Sequence, residues 1–468
     1  MNIVENKNFR KFIYIIPVIF VFELILGFSG KTIVVAGIPI RYILFFLSLI
    51  CLYGYMVLNF VESKITLLSI KNFKDSYIGQ FKILDWAVLV FILSGMFSAV
   101  IVPLILGGNI RFALDDAKSL IFLTLYFPVS FLIKKKQLNH ERLRKYIYIA
   151  CSALSGIYVV FFIGLKQNIK FLNYFFETLN KLLFNLGEVP RIILGHNETP
   201  RVIFTTCTFL IVGIYLFFVK ERKSVFDYCI LFINITALMT TLTKSIWFGV
   251  IIGGSVLSAY MIVNYIMQKR YKSILRLIST LACVVAFCVI MNYTVFDNMV
   301  LSRFAVSFAI SGNDSSNSIS DNSEHEDSGK NGDIIDNDLD AATISNDIKV
   351  EQTEKLMAMW EGSPLIGHGY GSYAEDCIRS EAFPYSYEMQ LPALLMKIGI
   401  VGVMAWVFFG IAMAVTAWKS TKNNRRRLFC WAYLLIAFAL AVQTNPMLLS
   451  FTGMAIVLFI AMESTDFV

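Results

Sequence analysis

An all-α, polytopic membrane protein of about twelve transmembrane helices is the fold class this sequence predicts. Three observations predict it. The 468-residue chain is 57% hydrophobic and only 16% charged, against roughly 25% charged in an average soluble domain. The apolar residues gather into runs of about 17 to 25 residues, each long enough to cross a hydrocarbon core of about 30 Å as a helix. Lys and Arg collect in alternate connections, as they do when short loops on one side of a membrane hold the positive charge. A soluble fold would need helices apolar on every face throughout, and is excluded on that ground.

The first five runs are 12–29, 40–61, 84–107, 115–133 and 146–165. Four more follow at 201–219, 225–242, 244–267 and 274–296, and the last three are 387–418, 428–444 and 446–462. The first run has a basic flank (Lys7, Arg10, Lys11) but no small-residue cleavage site, so it reads as a retained span. With the N-terminus inside, KKKQLNHERLRK (134–145), KERK (220–223), QKRYK (268–272) and KSTKNNRRR (419–427) all face the cytoplasm. About 25 of the 41 basic residues then lie on that side, and an even number of spans returns the C-terminus there. The chain divides into 1–296 (nine spans, with an outer loop at 166–200), a large extracytoplasmic loop at 297–386, and 387–468 (three spans).

The net charge of +8 therefore reports loop orientation. No basic face is interleaved with stacking aromatics, so nucleic acid is not an expected partner. Of the 8 cysteines, all but Cys377 fall in spans, where they act as small hydrophobes. No His/Cys/Asp/Glu group has metal-ligand spacing, so no metal is expected.

Two outer segments exceed a simple connector. In 166–200, Phe171, Tyr174, Phe175, Leu179, Leu182 and Leu183 recur at helical spacing, which predicts a helix along the membrane surface. Its second half is turn-rich (Pro190, Gly195, Pro200) and carries Arg191 and Arg201. The loop 297–386 opens with Arg303 and continues as an acidic low-complexity tract, 311–347, too poor in apolar residues to offset its ordering entropy. Order is expected again from about residue 346, where IKVEQTEKLMAMW places Lys349, Gln352, Leu356 and Met359 on one helical stripe. WEGSPLIGHGYGSY (360–373) follows, and Gly367, Gly369 and Gly371 permit backbone angles and close approaches that a Cβ would block. No strand precedes this G-x-G-x-G, so it is not a dinucleotide fingerprint. The segment reads as a turn folding the chain back across the membrane mouth.

Charge at the membrane edge supplies the candidate chemistry. Glu388 stands at the lip of the tenth span, and Pro392 four residues later predicts a kink that opens a polar pocket around it. Lys244 lies in the tight turn TLTKSIWFG, and a Lys within a span costs about 2.5–3.5 kcal/mol to insert, which makes it a functional candidate. Arg111, Arg191, Arg201, Arg303, Lys349 and Arg379 are also outward by this topology. Cations gathered at one membrane face suit an anionic headgroup, above all a pyrophosphate, which Arg engages through paired N–H groups.

These motifs resemble those of the O-antigen ligase and polysaccharide polymerase superfamily of integral membrane glycosyltransferases. TLTKSIWFG is similar to the family's outer turn, usually Thr-x-(Thr/Ser)-Arg-Ser-aromatic, with Lys244 where Arg is usual. IKVEQTEKLMAMWEGSPLIGHGYGSY resembles its loop helix followed by Pro-(Leu/Ile)-(Ile/Phe)-Gly-x-Gly-(Phe/Tyr)-Gly. LPALLMKIGIVG resembles its Leu-Leu-x-x-Leu-Gly-(Ile/Leu)-(Ile/Leu)-Gly helix. The motifs cover roughly 190–405, and Glu388 stands where the ligases usually place a His.

The resemblance implies transfer of glycan from an undecaprenyl-pyrophosphate carrier to a hydroxyl on the outer face of the bacterial cytoplasmic membrane, without nucleotide sugar, metal or other cofactor. It implies that Arg303, Lys349, Lys244, Arg191 and Arg201 hold the pyrophosphate and that Glu388 accepts the acceptor's proton. Gln352, Gly367, Gly369, Tyr370 and Gly371 would line the substrate, with Tyr370 or Tyr373 stacking on sugar. Membrane lipids, a flippase and a chain-length regulator are the implied partners of a polymerase. A ligase acting on a lipid or protein acceptor shares nearly all these features. A transporter would instead need charges inside the bilayer and broken helices.

Overall fold

The computed structural model describes residues 7–28, 33–69, 72–171, 174, 178, 192–194, 200–305, 332–378, 381, 383–422 and 424–465. Its helices are α1 (Lys7–Leu26), α2 (Ile40–Glu62), α3 (Ile83–Leu106), α4 (Ile110–Lys134), α5 (His140–Lys166), α6 (Phe209–Val219) and α7 (Val225–Thr240). They continue with α8 (Lys244–Met267), α9 (Tyr271–Thr294), α10 (Gly332–Gly362), α11 (Gln390–Ser420), α12 (Arg425–Gln443) and α13 (Phe451–Glu463). Among the described residues, 8 helices are long and apolar enough to cross a membrane. Four shorter apolar helices, Ile13–Leu26 within α1, α6, α7 and α13, bring the set to the twelve expected runs in their expected order. The protein is an all-α polytopic membrane protein.

Among the described residues, strand is confined to two small antiparallel pairs, Val34–Val35 with Ile38–Pro39 and Ile192–Leu194 with Pro200–Val202. The second shortens a span. Pro200–Val202 is extended, and helix begins only at Phe209, although the apolar run starts at 201. Of the surface helix expected across 171–183, only residues 171, 174 and 178 are described, each helical. Of the acidic tract 311–347, residues 311–331 lie outside the described residues, while 332–347, expected to lack order, are helical. Helix α10 starts at Gly332, earlier than the expected residue 346.

Carboxylates paired across elements fix the two ends of the bundle. At the end carrying the dense Lys/Arg connections, Glu463 of α13 accepts from Arg144 Nε (2.8 Å), Arg144 Nη2 (2.5 Å) and Tyr215 O–H (2.5 Å), with His140 Nε2 3.0 Å away. This joins α5, α6 and α13. Asp85 at the same end caps α3 through the Lys82 N–H and accepts from the Tyr126 hydroxyl at 2.8 Å. At the opposite end, Arg41 of α2 pairs with Glu23 of α1 at 3.0 Å, and Lys166 reaches Asp297 at 2.8 Å. Each carboxylate is met by a cation or hydroxyl from another element, which is the condition for charge to persist in a medium that solvates it poorly.

Candidate functional site

Three of the expected cations meet at one turn. Between α7 and α8 the chain reverses through Thr241, Leu242 and Thr243, and Leu242 adopts a left-handed φ of 45°. Arg201 donates from Nε to the Thr241 carbonyl at 2.9 Å and from Nη2 to the Thr243 hydroxyl at 3.3 Å. Arg303 donates to the Leu242 carbonyl at 3.0 Å. Lys244 is the first residue of α8, half-buried directly after this turn. The two guanidiniums brace the turn. Arg191 and Arg379 lie outside the described residues.

A second group forms where α10 meets α11. Gln352 is fully buried, and its amide oxygen accepts from the backbone N–H groups of Glu388 (3.1 Å) and Met389 (3.0 Å). It satisfies donors at the start of α11, which a helix cannot satisfy itself. Gln352, expected to line the substrate, clasps the two helices through its amide oxygen. Glu388 and Lys349 are both half-buried, Lys349 one turn before Gln352 on α10 and Glu388 two residues before α11 begins.

The expected kink at Pro392 is not where α11 breaks. Pro392 is the third residue of the helix, in the first turn, where its missing N–H would have had no partner anyway. The break is at Gly399 (φ 60°, ψ −172°), a conformation essentially restricted to glycine. In a continuous helix, Ile400 and Val401 would donate to the carbonyls of Met396 and Lys397. Here those carbonyls accept from His368 N–H and Gly369 N–H (both 2.8 Å), while Ile400 and Val401 donate to Pro364 (2.9 Å) and Leu365 (3.0 Å). The segment around PLIGHGYG thus lies antiparallel to the broken helix and satisfies these four groups.

The same segment fills two further defects. Phe97–Ile101 of α3 is π-helical, and Ser98 offers its carbonyl to Tyr370 N–H at 3.0 Å. Gly371 N–H donates to the Asp116 carboxylate of α4 at 2.9 Å. These insertions explain the glycines. A Cβ on Gly367 would lie 2.5 Å from the Lys397 backbone, one on Gly369 2.7 Å from Pro103, and one on Gly371 2.3 Å from the Ala113 nitrogen. The close approaches are made by helices rather than by a donor lipid. Tyr370 is only 2% exposed, so its ring packs in the core and not on sugar. His368 is half-buried with its ring bonded to the Met359 carbonyl at 2.7 Å.

Sequence reasoning passed over the charges beneath. Lys397 Nζ lies 2.6 Å from Asp116 and donates to the Tyr385 carbonyl at 2.8 Å, with both side chains of the ion pair under 8% exposed. The Tyr385 hydroxyl donates to Asp115, and burial together with Asp115 pushes that phenol well above its ordinary range. A cavity of about 190 Å³ opens here, lined among others by Asp115, Lys118, Tyr387, Gln390, Lys397 and Ser450. Lys397 is seven residues into α11, about 10 Å from its start at about 1.5 Å per residue. The signal was present: an ammonium in LLMKIGIVG and two carboxylates in FALDDAKSL each interrupt an apolar run. No family model matches the chain, and no curated protein matches it.

Proposed function

We propose that this protein polymerises a surface polysaccharide, transferring glycan from an undecaprenyl-pyrophosphate-linked oligosaccharide to a sugar hydroxyl at the outer face of the bacterial cytoplasmic membrane. The observation that supports this reading is the convergence of Arg201 and Arg303 on the turn that leads into Lys244. Three cations held around one membrane-edge turn are suited to a pyrophosphate. In the reaction, the acceptor oxygen bonds to the anomeric carbon as that carbon's bond to the pyrophosphate oxygen breaks. The pyrophosphate leaves with the electron pair, the cations stabilise its charge, and Glu388 takes the acceptor's proton. Lys349 lies one turn before Gln352, whose amide oxygen holds the Glu388 N–H.

With lipid-linked repeat units as substrate, Glu388→Gln is expected to lower kcat by about 10²–10⁴-fold, the usual scale of general-base help. Lys244→Ala is expected to lower kcat/KM, with Lys244→Arg retaining most of it. Normal polymer length with both Glu388→Gln and Lys244→Ala, at normal expression, removes these roles. Long glycan left on its carrier, instead of single repeat units, identifies a ligase.

A transporter of lipid-linked glycan is the second reading, favoured by the buried Asp116–Lys397 pair and the break at Gly399. Ionisable groups beside broken helices are what such carriers use. Labelled substrate that crosses proteoliposome membranes without being elongated decides for it.

A further inference from the structure

At the basic end of the bundle, α5, α6, α7 and α12 enclose a cavity of about 1170 Å³ that the glycan-transfer reading does not use. We propose that it holds the headgroup of an anionic phospholipid from the surrounding leaflet, with the acyl chains running along the apolar faces of α5 and α7.

Its wall is sorted by depth. Lys145, Lys220, Arg426 and Arg427 line the part nearest the helix ends, whereas Ile149 and Ile233 line it one to two turns further in. Ile149 is 45% exposed and Ile233 40%, so this apolar stretch opens sideways from the bundle. A water-soluble anion would not need such a flank; a lipid has chains to lay there.

Charge also favours an anionic occupant. Arg144 is engaged by Glu463 and Glu141, and Lys220 by Asp227. Lys145, Arg426 and Arg427 add three positive charges to the lining, Glu221 adds one negative, and Lys223 stands beside Lys220, donating to its carbonyl at 2.8 Å. Formal positive charge therefore exceeds negative by two across these residues. Arg426 donates to the carbonyl of Phe218 at 2.7 Å, which positions it without neutralising it. Burial, and then the positive charge of Arg426, hold the Lys223 ammonium down to about 8. A phosphodiester placed among these cations relieves that repulsion.

Native mass spectrometry of the delipidated full chain in detergent tests this, with phosphatidylglycerol, phosphatidylcholine and inorganic phosphate as probes. Phosphatidylglycerol is expected to survive activation that strips phosphatidylcholine, and phosphate is expected not to be retained. The Lys145→Gln/Arg427→Gln variant is expected to lose retention by about fivefold for each charge removed. A second readout needs no variant. Cys229 lines the cavity and is exposed, so phosphatidylglycerol should slow its maleimide labelling while phosphatidylcholine does not. Equal retention of the two lipids, labelling indifferent to both, or phosphate matching phosphatidylglycerol overturns the proposal.

Discussion

Lys397→Met is expected to destabilise the fold by about 3–5 kcal/mol, because it strands the Asp116 carboxylate in a buried site without its counter-ion. Asp116 would keep the Gly371 N–H, but one amide does not balance a full charge in a medium that solvates it poorly. The double variant Asp116→Leu/Lys397→Met separates this cause from mere loss of contacts. Removing both charges is expected to restore most of the stability, since apolar replacement of a buried pair is often neutral or better. The chain carries its own probes: the thiols of Cys151, Cys207 and Cys430 are buried, so a thiol-reactive dye reports unfolding in detergent. If the single variant unfolds where the wild type does, the pair does not hold the helices together.

Gly399→Ala is expected to be comparably damaging through a different cause. Its φ of 60° with ψ of −172° is backbone that only glycine adopts without strain, at about 1–3 kcal/mol for other residues. The added Cβ would also lie 2.4 Å from the Leu365 carbonyl oxygen. The alanine favours closing α11 into a continuous helix, and its carbonyls at Met396 and Lys397 would then no longer receive the inserted segment. Hydrogen exchange reads this directly. The amides of His368, Gly369 and Tyr370 are hydrogen-bonded to α11 and α3 and are expected to exchange slowly in the wild type and rapidly in the variant. Unchanged protection would mean that the break does not depend on glycine.

Apolar runs made the helices legible, because a span announces itself by local composition alone. The order and approximate limits of all twelve follow from the sequence, with the start of α6 displaced by an extended Pro200–Val202. The site was legible only where a single residue type demands explanation. Glycines at 367, 369 and 371 signalled close approach, but what approaches them is Lys397, Pro103 and Ala113, from helices remote in the chain. Pro392 drew attention as the breaker while Gly399 broke the helix, since proline is harmless in a first turn and glycine permits what no pattern of hydropathy reveals. Gln352 lay on the right stripe of its helix, yet spacing cannot say whether such a face meets substrate or the start of α11. The Asp116–Lys397 pair joins helices far apart in sequence, and only the packing brings them together.

The anchoring of residues 364–371 to α3, α4 and α11 has a mechanical consequence. Anything that grips α10 pulls, through its C-terminal end, on a peptide anchored to α11 at Met396 and Lys397, six and seven residues into that helix. Helix α10 therefore behaves as a handle fixed to the interior of the protein, able to pass force to the lysine and aspartate buried in it.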